Sequence, residues 1–205
     1  MYWGMYEIPL GFLVFSGIML PVTAILLWSI RDDFRTRGGR FDVIRLIENA
    51  IGLYLLTAMV CAAGMQVLVR YVGGEFDFPW TEELGRLLLV WTAFWGAAVI
   101  QRSGDHISVS ILFDRLPAAA QRVGMVLIQL VTVAAMAPVV WYGWQTAETL
   151  NIMATPSLNL PLSAFAYPVP VGGALFIVHT LFLAWRYATG QPVESHAEGE
   201  HEAAV

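Results

Sequence analysis

The sequence has no lysine, a single cysteine and few charged residues of any kind. All eleven basic residues are arginine, and charged residues make up 13% of the 205 positions, about half of the share in ordinary globular domains. One cysteine, Cys61, cannot form an internal disulfide. The composition therefore excludes a disulfide-stabilised secreted domain, a disordered chain and a nucleic-acid-binding protein, and the net charge of −5 says little about partners.

The sequence also lacks the short motifs that mark catalytic or cofactor sites. It has no phosphate-binding Gly-rich loop, no HExxH and no paired cysteine motif. Ser103, Asp105 and His106 are close in sequence, but a catalytic triad also needs a pocket and an oxyanion hole, which a short turn after a helix does not offer. We therefore predict no enzyme activity, no cofactor and no metal site.

Long apolar runs are what the sequence has in abundance. Hydrophobic residues make up 58% of the chain, and the mean hydropathy is +0.63. A helix needs roughly 20 mainly apolar residues to cross a bilayer. Five segments qualify, at about 8–30, 46–71, 84–101, 123–147 and 165–187. They predict an all-α integral membrane protein, with a bundle of four core transmembrane helices and an extra N-terminal transmembrane helix.

A short interfacial amphipathic helix is predicted between the third and fourth segments. The residues that form its apolar stripe, with the spacing of one helical face, are Val109, Leu112, Phe113 and Leu116. The alternative is a plain loop.

The arginines predict the orientation of the chain. Nine of the eleven lie in or beside the first connection, the third connection and the end of the last segment, against Arg70 and Arg86 on the opposite side. The positive-inside rule then places the C-terminus in the cytoplasm. The N-terminus and the loops near 72–83 and 148–164 face the periplasm.

These features divide the chain into three parts. Residues 1–45 form the extra N-terminal transmembrane helix and an Arg-rich cytoplasmic connection, and residues 46–187 form a four-helix membrane domain. Residues 188–205 form an acidic cytoplasmic tail that we predict to be disordered.

Charged residues at the start of the third segment are the best candidate site, because charges inside a bilayer are costly. Spacings of three and four residues place Arg86 beside both Glu82 and Glu83 on one helical face. Thr81 is a candidate cap for this helix. Two interpretations stay open: a helix start that satisfies its own charges, or a contact with another subunit.

Several other side chains are candidates for packing contacts. Trp80 is predicted at the membrane interface, while Trp91 and Trp95 face either lipid or another helix. Gln66 and Gln129 are candidates for hydrogen bonds between helices, as is His179. Two pairs of small residues have the spacing that permits close helix packing: Ala58 with Ala62, and Ala93 with Ala97.

The order of features from about residue 46 to 185 resembles the small membrane subunit (the DctQ-like, or Q, component) of the tripartite ATP-independent periplasmic (TRAP) transporters. The main block is FPWTEELGRLLLVWTAFWGAAVIQRSGDHISVSIL. The positions that carry the resemblance are Trp80, Glu82, Glu83, Arg86, Trp91, Gly96, Arg102 and His106. A second block, TPSLNLPLSAFAYPVPVGGAL, is similar through Pro156, Leu158, Pro161, Tyr167, Pro170 and Gly172.

The resemblance implies a non-catalytic subunit in the bacterial inner membrane. Its partners would be a large membrane subunit, which carries the substrate and sodium sites, and a periplasmic substrate-binding protein that delivers organic anions such as carboxylates. The small subunit would brace the large one. Members of the family usually have four spanning helices, so residues 1–45 are an addition.

Two other functions are weighed against this one. A haem-binding membrane anchor of a redox complex needs two axial ligands that face each other, and His179 is the only histidine well inside a predicted span. An independent small transporter would require broken helices arranged as repeats, whereas Pro138 interrupts the fourth segment alone.

Overall fold

A computed structural model describes residues 10–29, 43–72, 79–103 and 117–190. Within these ranges the chain is helical apart from short connections, and the one β-bridge joins Ala154 to Pro161. The long helices are α1 (Leu10–Ser29), α2 (Val43–Val72), α3 (Pro79–Ser103), α4 (Ala118–Leu150) and α6 (Pro168–Thr189), and a single turn, α5 (Ser163–Ala166), precedes α6.

All five predicted segments coincide with helices, and four of these are long and apolar enough to cross a membrane. The spans are Val43–Leu68, Pro79–Arg102, Ala120–Leu150 and Ser163–Thr189, and α1 carries a shorter apolar stretch, Leu13–Ser29. The all-α fold class is thereby confirmed. The predicted interfacial helix at Val109–Leu116 and residues 191–205 of the tail lie outside the residues that the structure describes.

Prolines inside two helices do not break them. Pro138 lies within α4 and Pro21 within α1, and both helices continue across the ring. The prediction that Pro138 interrupts its helix is therefore wrong. Proline removes one backbone donor and bends a helix. The backbone on both sides of each proline nevertheless remains helical.

The chain forms two compact units, each described by itself. The first comprises residues 1–93 and 147–166, so it holds α1, α2, the first half of α3 and the connection that follows α4. Here α1 packs against α2. Both Ala58 and Ala62 of α2 are buried, so this predicted small-residue pair serves packing within the chain.

The second unit comprises residues 94–146 and 167–205, and its helices pack closely through glycine. A Cβ atom on Gly172 of α6 would lie 2.7 Å from the Phe94 Cβ and 2.9 Å from the Phe94 carbonyl carbon, so α3 and α6 touch through backbone. On the other side of α6, a Cβ atom on Gly173 would lie 2.8 Å from a methyl of Val140 on α4. Small residues thus bring three apolar helices together where lipid supplies no hydrophobic drive.

The end of α6 is closed by glycine in a left-handed conformation. Gly190 has φ 68°, and its N–H points back to the carbonyls of Arg186 and Tyr187. The guanidinium of Arg122 lies against this glycine, where a cation complements the negative end of the helix dipole.

Candidate functional site

The predicted charge cluster begins in the first turn of α3, with Glu82, and extends to Arg86 one turn later. The helix begins at Pro79, a residue suited to a first helical position because its missing N–H would have no partner there. Thr81 therefore lies inside the helix and not at its cap, which corrects the prediction, and it is buried. The face of α3 that carries Trp80, Leu84 and Leu87 is also buried.

Glu82 and Arg86 form an ion pair on the opposite, exposed face of α3. The Arg86 guanidinium donates to the Glu82 carboxylate one helical turn away. The Arg86 side chain is 69% exposed and the Glu82 side chain is 53% exposed. An exposed pair at this spacing contributes only about 0.3–0.5 kcal/mol to stability. The other guanidinium N–H groups of Arg86 are exposed on this face of α3.

Glu83 faces a different part of the chain. Its Oε2 accepts hydrogen bonds from the backbone N–H groups of Ser157 (3.1 Å) and Leu158 (2.6 Å). The prediction that Arg86 lies beside both carboxylates is therefore wrong for Glu83. Successive residues of a helix point about 100° apart, and that rotation turns Glu83 towards the connection that follows α4.

That connection, residues 151–162, is a folded loop held by its own hydrogen bonds. The Thr155 N–H donates to the Leu160 carbonyl (2.8 Å), and the Leu162 N–H donates to the Met153 carbonyl (2.7 Å). Asn159 takes the left-handed conformation with φ 55°, which asparagine tolerates better than most residues. Leu158 is fully buried, so the loop has a core of its own.

The tryptophans of α3 pack within the chain. Trp80 is 8% exposed and meets Phe15 of α1 edge to face, with ring centroids 6.2 Å apart, so it lies in a packed contact between helices. The Trp91 indole N–H donates to the Ala164 carbonyl (3.1 Å), which favours the packing interpretation over a lipid-facing one. Trp95, one turn further along, is half-buried.

A hydrogen bond between helices was predicted for Gln129 and is present in the second unit. The Gln101 side-chain amide donates to the Gln129 carbonyl oxygen (3.0 Å), and Gln101 is 3% exposed. Gln101 is not among the residues predicted to form such a bond, although an amide next to Arg102 at the end of an apolar helix is a signal for one. Arg102 itself is half-buried in the last turn of α3, and His106 lies outside the described residues.

Several residues of the second resemblance block are buried or packed. Leu158 is buried in the first unit, and Pro170 and Gly172 are buried in the second. Tyr167 meets Trp144 edge to face with ring centroids 5.8 Å apart. Tyr167, Pro170 and Gly172 thus shape the start of α6.

The side chains that could bind a metal ion are those of His, Cys, Asp and Glu. No group of three or more of these side chains comes together in the ranges that the structure describes. His179, the one histidine that the structure describes, is buried on α6.

Comparison with known proteins places the chain among membrane transport components. Residues 59–190 match the family model described as "Tripartite ATP-independent periplasmic transporters, DctQ component". The sialic acid TRAP transporter small permease protein SiaQ of Vibrio cholerae is 24% identical over 139 residues, covering 68% of this chain and 80% of that protein. The C4-dicarboxylate TRAP transporter small permease protein DctQ of Rhodobacter capsulatus is 29% identical over 191 residues, covering 90% and 78%.

A third relative differs in length. The isethionate TRAP transporter permease protein DctMQ of Oleidesulfovibrio alaskensis is 27% identical over 136 residues, which cover 62% of this chain. The match spans only 21% of that protein, so a region similar to this chain is there joined to about four times as much further polypeptide.

Proposed function

This chain belongs to the DctQ component family of the TRAP transporters, and from that premise we propose that it braces the large transport subunit of such a transporter. It is a multi-pass membrane protein. The transporter would reside in a bacterial inner membrane and take up organic anions, coupled to sodium. The main support for the bracing role is the Glu83 contact. In it, a carboxylate on a membrane helix accepts hydrogen bonds from backbone N–H groups of another segment of the same chain.

Other polar contacts support the same role. Trp91 donates to Ala164 and Gln101 donates to Gln129, so polar groups in the apolar helices join segments of this chain to one another. Such bonds rigidify a membrane protein because water is not available as an alternative partner. A rigid small subunit suits a part that stays fixed while another subunit moves.

The relatives support the partners and the substrate class. In the fused relative, a region similar to this chain is continuous with a larger permease polypeptide, and we propose that this chain likewise works with a large permease subunit. The substrates named for the three relatives described above, sialic acid, isethionate and C4-dicarboxylates, are organic anions. A periplasmic binding protein would deliver the substrate to the face that carries the N-terminus, with the C-terminus in the cytoplasm.

Reconstituted uptake tests this function. Vesicles that contain this chain, its large subunit and the binding protein are expected to accumulate one of these anions when a sodium gradient is applied. Omission of this chain should abolish uptake, because the large subunit would lose its brace. Uptake by vesicles that contain this chain alone would contradict the proposal, and so would full uptake without it.

We propose that the exposed Glu82–Arg86 face of α3 meets the large subunit. Arg86→Glu is expected to lower co-purification of the large subunit by about tenfold or more, because an uncompensated charge in a covered contact costs roughly 2–5 kcal/mol. Within the chain, the new Glu–Glu pair costs only about 0.5 kcal/mol, so folding should be preserved.

Arg70→Glu is the matched control, since Arg70 is also exposed and lies in the last turn of α2. It should leave the yield of the large subunit unchanged. Equal yields for the two variants would remove the α3 face from the contact and leave the rest of the proposed function standing.

A further inference from the structure

Most backbone N–H groups of the connection between α4 and α6 have a hydrogen-bond partner inside the chain. The backbone N–H donors with a partner inside the chain belong to Asn151, Met153, Thr155, Ser157, Leu158, Leu160, Leu162, Ala164 and Phe165. Two of the remaining positions are Pro156 and Pro161, which have no N–H. Loops on a protein surface normally rely on water for many of these bonds, so this loop is suited to a place where water is scarce.

The composition of the connection fits the same environment. No charged residue occurs between Glu148 and Arg186, a stretch that includes the whole loop. Three of its polar side chains bond within the loop: the Ser163 hydroxyl donates to the Asn151 side chain (3.0 Å), and the Leu160 N–H donates to the Thr155 hydroxyl (3.1 Å). Irregular backbone is tolerated at membrane depth only when its polar groups are satisfied in this way.

The contacts with α3 set the depth of the connection. Glu83 and Trp91, which bond to Leu158 and Ala164, come four and twelve residues after Pro79, the first residue of α3. At 1.5 Å per residue they lie about 6 Å and about 18 Å along the helix. The span Pro79–Arg102 has 24 residues, about 36 Å against a hydrocarbon thickness of about 30 Å. Even though helical side chains lean towards the N-terminus, the Trp91 contact lies well inside the apolar layer.

The outer rim of the connection is apolar and uncovered by the chain. Ile152 is 83% exposed and Met153 is 51% exposed, whereas Leu158 and Ser163 on the inner side are buried. In water, two adjacent large apolar side chains on a rigid loop would be unfavourable. Against lipid tails they cost nothing.

We propose that residues 151–166 form a re-entrant segment embedded in the half of the bilayer that holds the first turns of α3, with Ile152 and Met153 in contact with lipid hydrocarbon. In this placement the loop predicted near 148–164 on the periplasmic side would lie within the bilayer surface on that side. Glu83 is the positioning residue of this segment, because its carboxylate takes the place of water at two amides. The inference concerns the position of a segment in the membrane and goes beyond the proposed transport role.

Site-directed spin labelling of the full-length chain in vesicles of phosphatidylethanolamine and phosphatidylglycerol tests this placement. A nitroxide on Ile152→Cys, in a Cys61→Ser background, should collide readily with oxygen, which dissolves in the bilayer, and should be shielded from a water-soluble nickel chelate. A charged maleimide present on both sides of the membrane should fail to label the same cysteine, yet label it fully after denaturation in SDS.

Val131→Cys provides the reference for a lipid-facing position, since Val131 is 68% exposed on the spanning helix α4. Ile152→Cys should give the same pattern, and both variants should keep the thermal unfolding midpoint of the parent chain. Rapid labelling by the maleimide in intact vesicles would show an aqueous loop and overturn the proposal. Shielding from both oxygen and nickel would show that protein covers Ile152, which would also overturn it.

Discussion

Gly172→Ala is expected to destabilise the chain severely, because the new methyl group has no room. It would lie 2.7 Å from the Phe94 Cβ and 2.9 Å from both the carbonyl carbon and the carbonyl oxygen of Phe94. A side chain can change rotamer to relieve such a clash, but a helix backbone cannot. The helices α3 and α6 would have to separate, at a cost of about 3 kcal/mol, the upper part of the range for overpacking. The thermal unfolding midpoint of the detergent-purified chain measures this loss.

Gly96→Ala is the matched control on the partner helix. A Cβ atom on Gly96 would meet nothing within 4 Å, and alanine is favoured over glycine in a helix by about 0.8–1 kcal/mol. The control should therefore keep or raise the unfolding midpoint. A Gly172→Ala chain as stable as the parent would contradict the close approach of α3 and α6.

The sequence predicted the helices of this fold because spanning segments have a strong local signature. All five apolar runs correspond to helices. The structure extends the second, third and fourth at both ends, whereas α6 begins at Pro168, after the predicted start, and ends two residues later than predicted. Ends are harder to predict because polar residues such as Arg102 and Thr149 can continue a helix beyond the apolar run. The ion pair of Glu82 with Arg86 was also predictable, since it depends only on helical spacing.

The partner of Glu83 could not be predicted in the same way. The groups that it binds are backbone N–H groups more than seventy positions away, and a backbone amide has no sequence signature. Trp80 is a similar case: its residue type predicts a position at the membrane interface, but its contact with Phe15 depends on how α1 packs. Long-range contacts of this kind arise from tertiary structure and not from local pattern.

The small-residue pattern was informative for one pair only. Ala58 and Ala62 are both buried, whereas Ala93 is exposed and Ala97 is half-buried. The spacing is the same in the two cases, so spacing alone cannot distinguish a face that packs within the chain from one that is open to lipid or a partner. Burial in the folded chain makes that distinction.

Glu83→Ala is expected to loosen the connection between α4 and α6 while the helices persist. It removes the acceptor of two backbone N–H groups, and hydrogen bonds to a charged group contribute about 1.5–3 kcal/mol each. Because one oxygen serves both bonds, we expect a total loss of roughly 3 kcal/mol. Amide hydrogen exchange at Ser157 and Leu158, followed by mass spectrometry in lipid nanodiscs, should accelerate by about a hundredfold, the factor that corresponds to this free energy.

Glu82→Ala is the neighbouring control, since it removes a carboxylate of the same size from an exposed ion pair worth under about 1 kcal/mol. Its exchange rates at Ser157 and Leu158 should match those of the parent chain. Glu83→Gln should fall between the two, because its amide oxygen can still accept but carries no charge. Parental exchange rates at Ser157 and Leu158 in Glu83→Ala would contradict the anchoring role of Glu83.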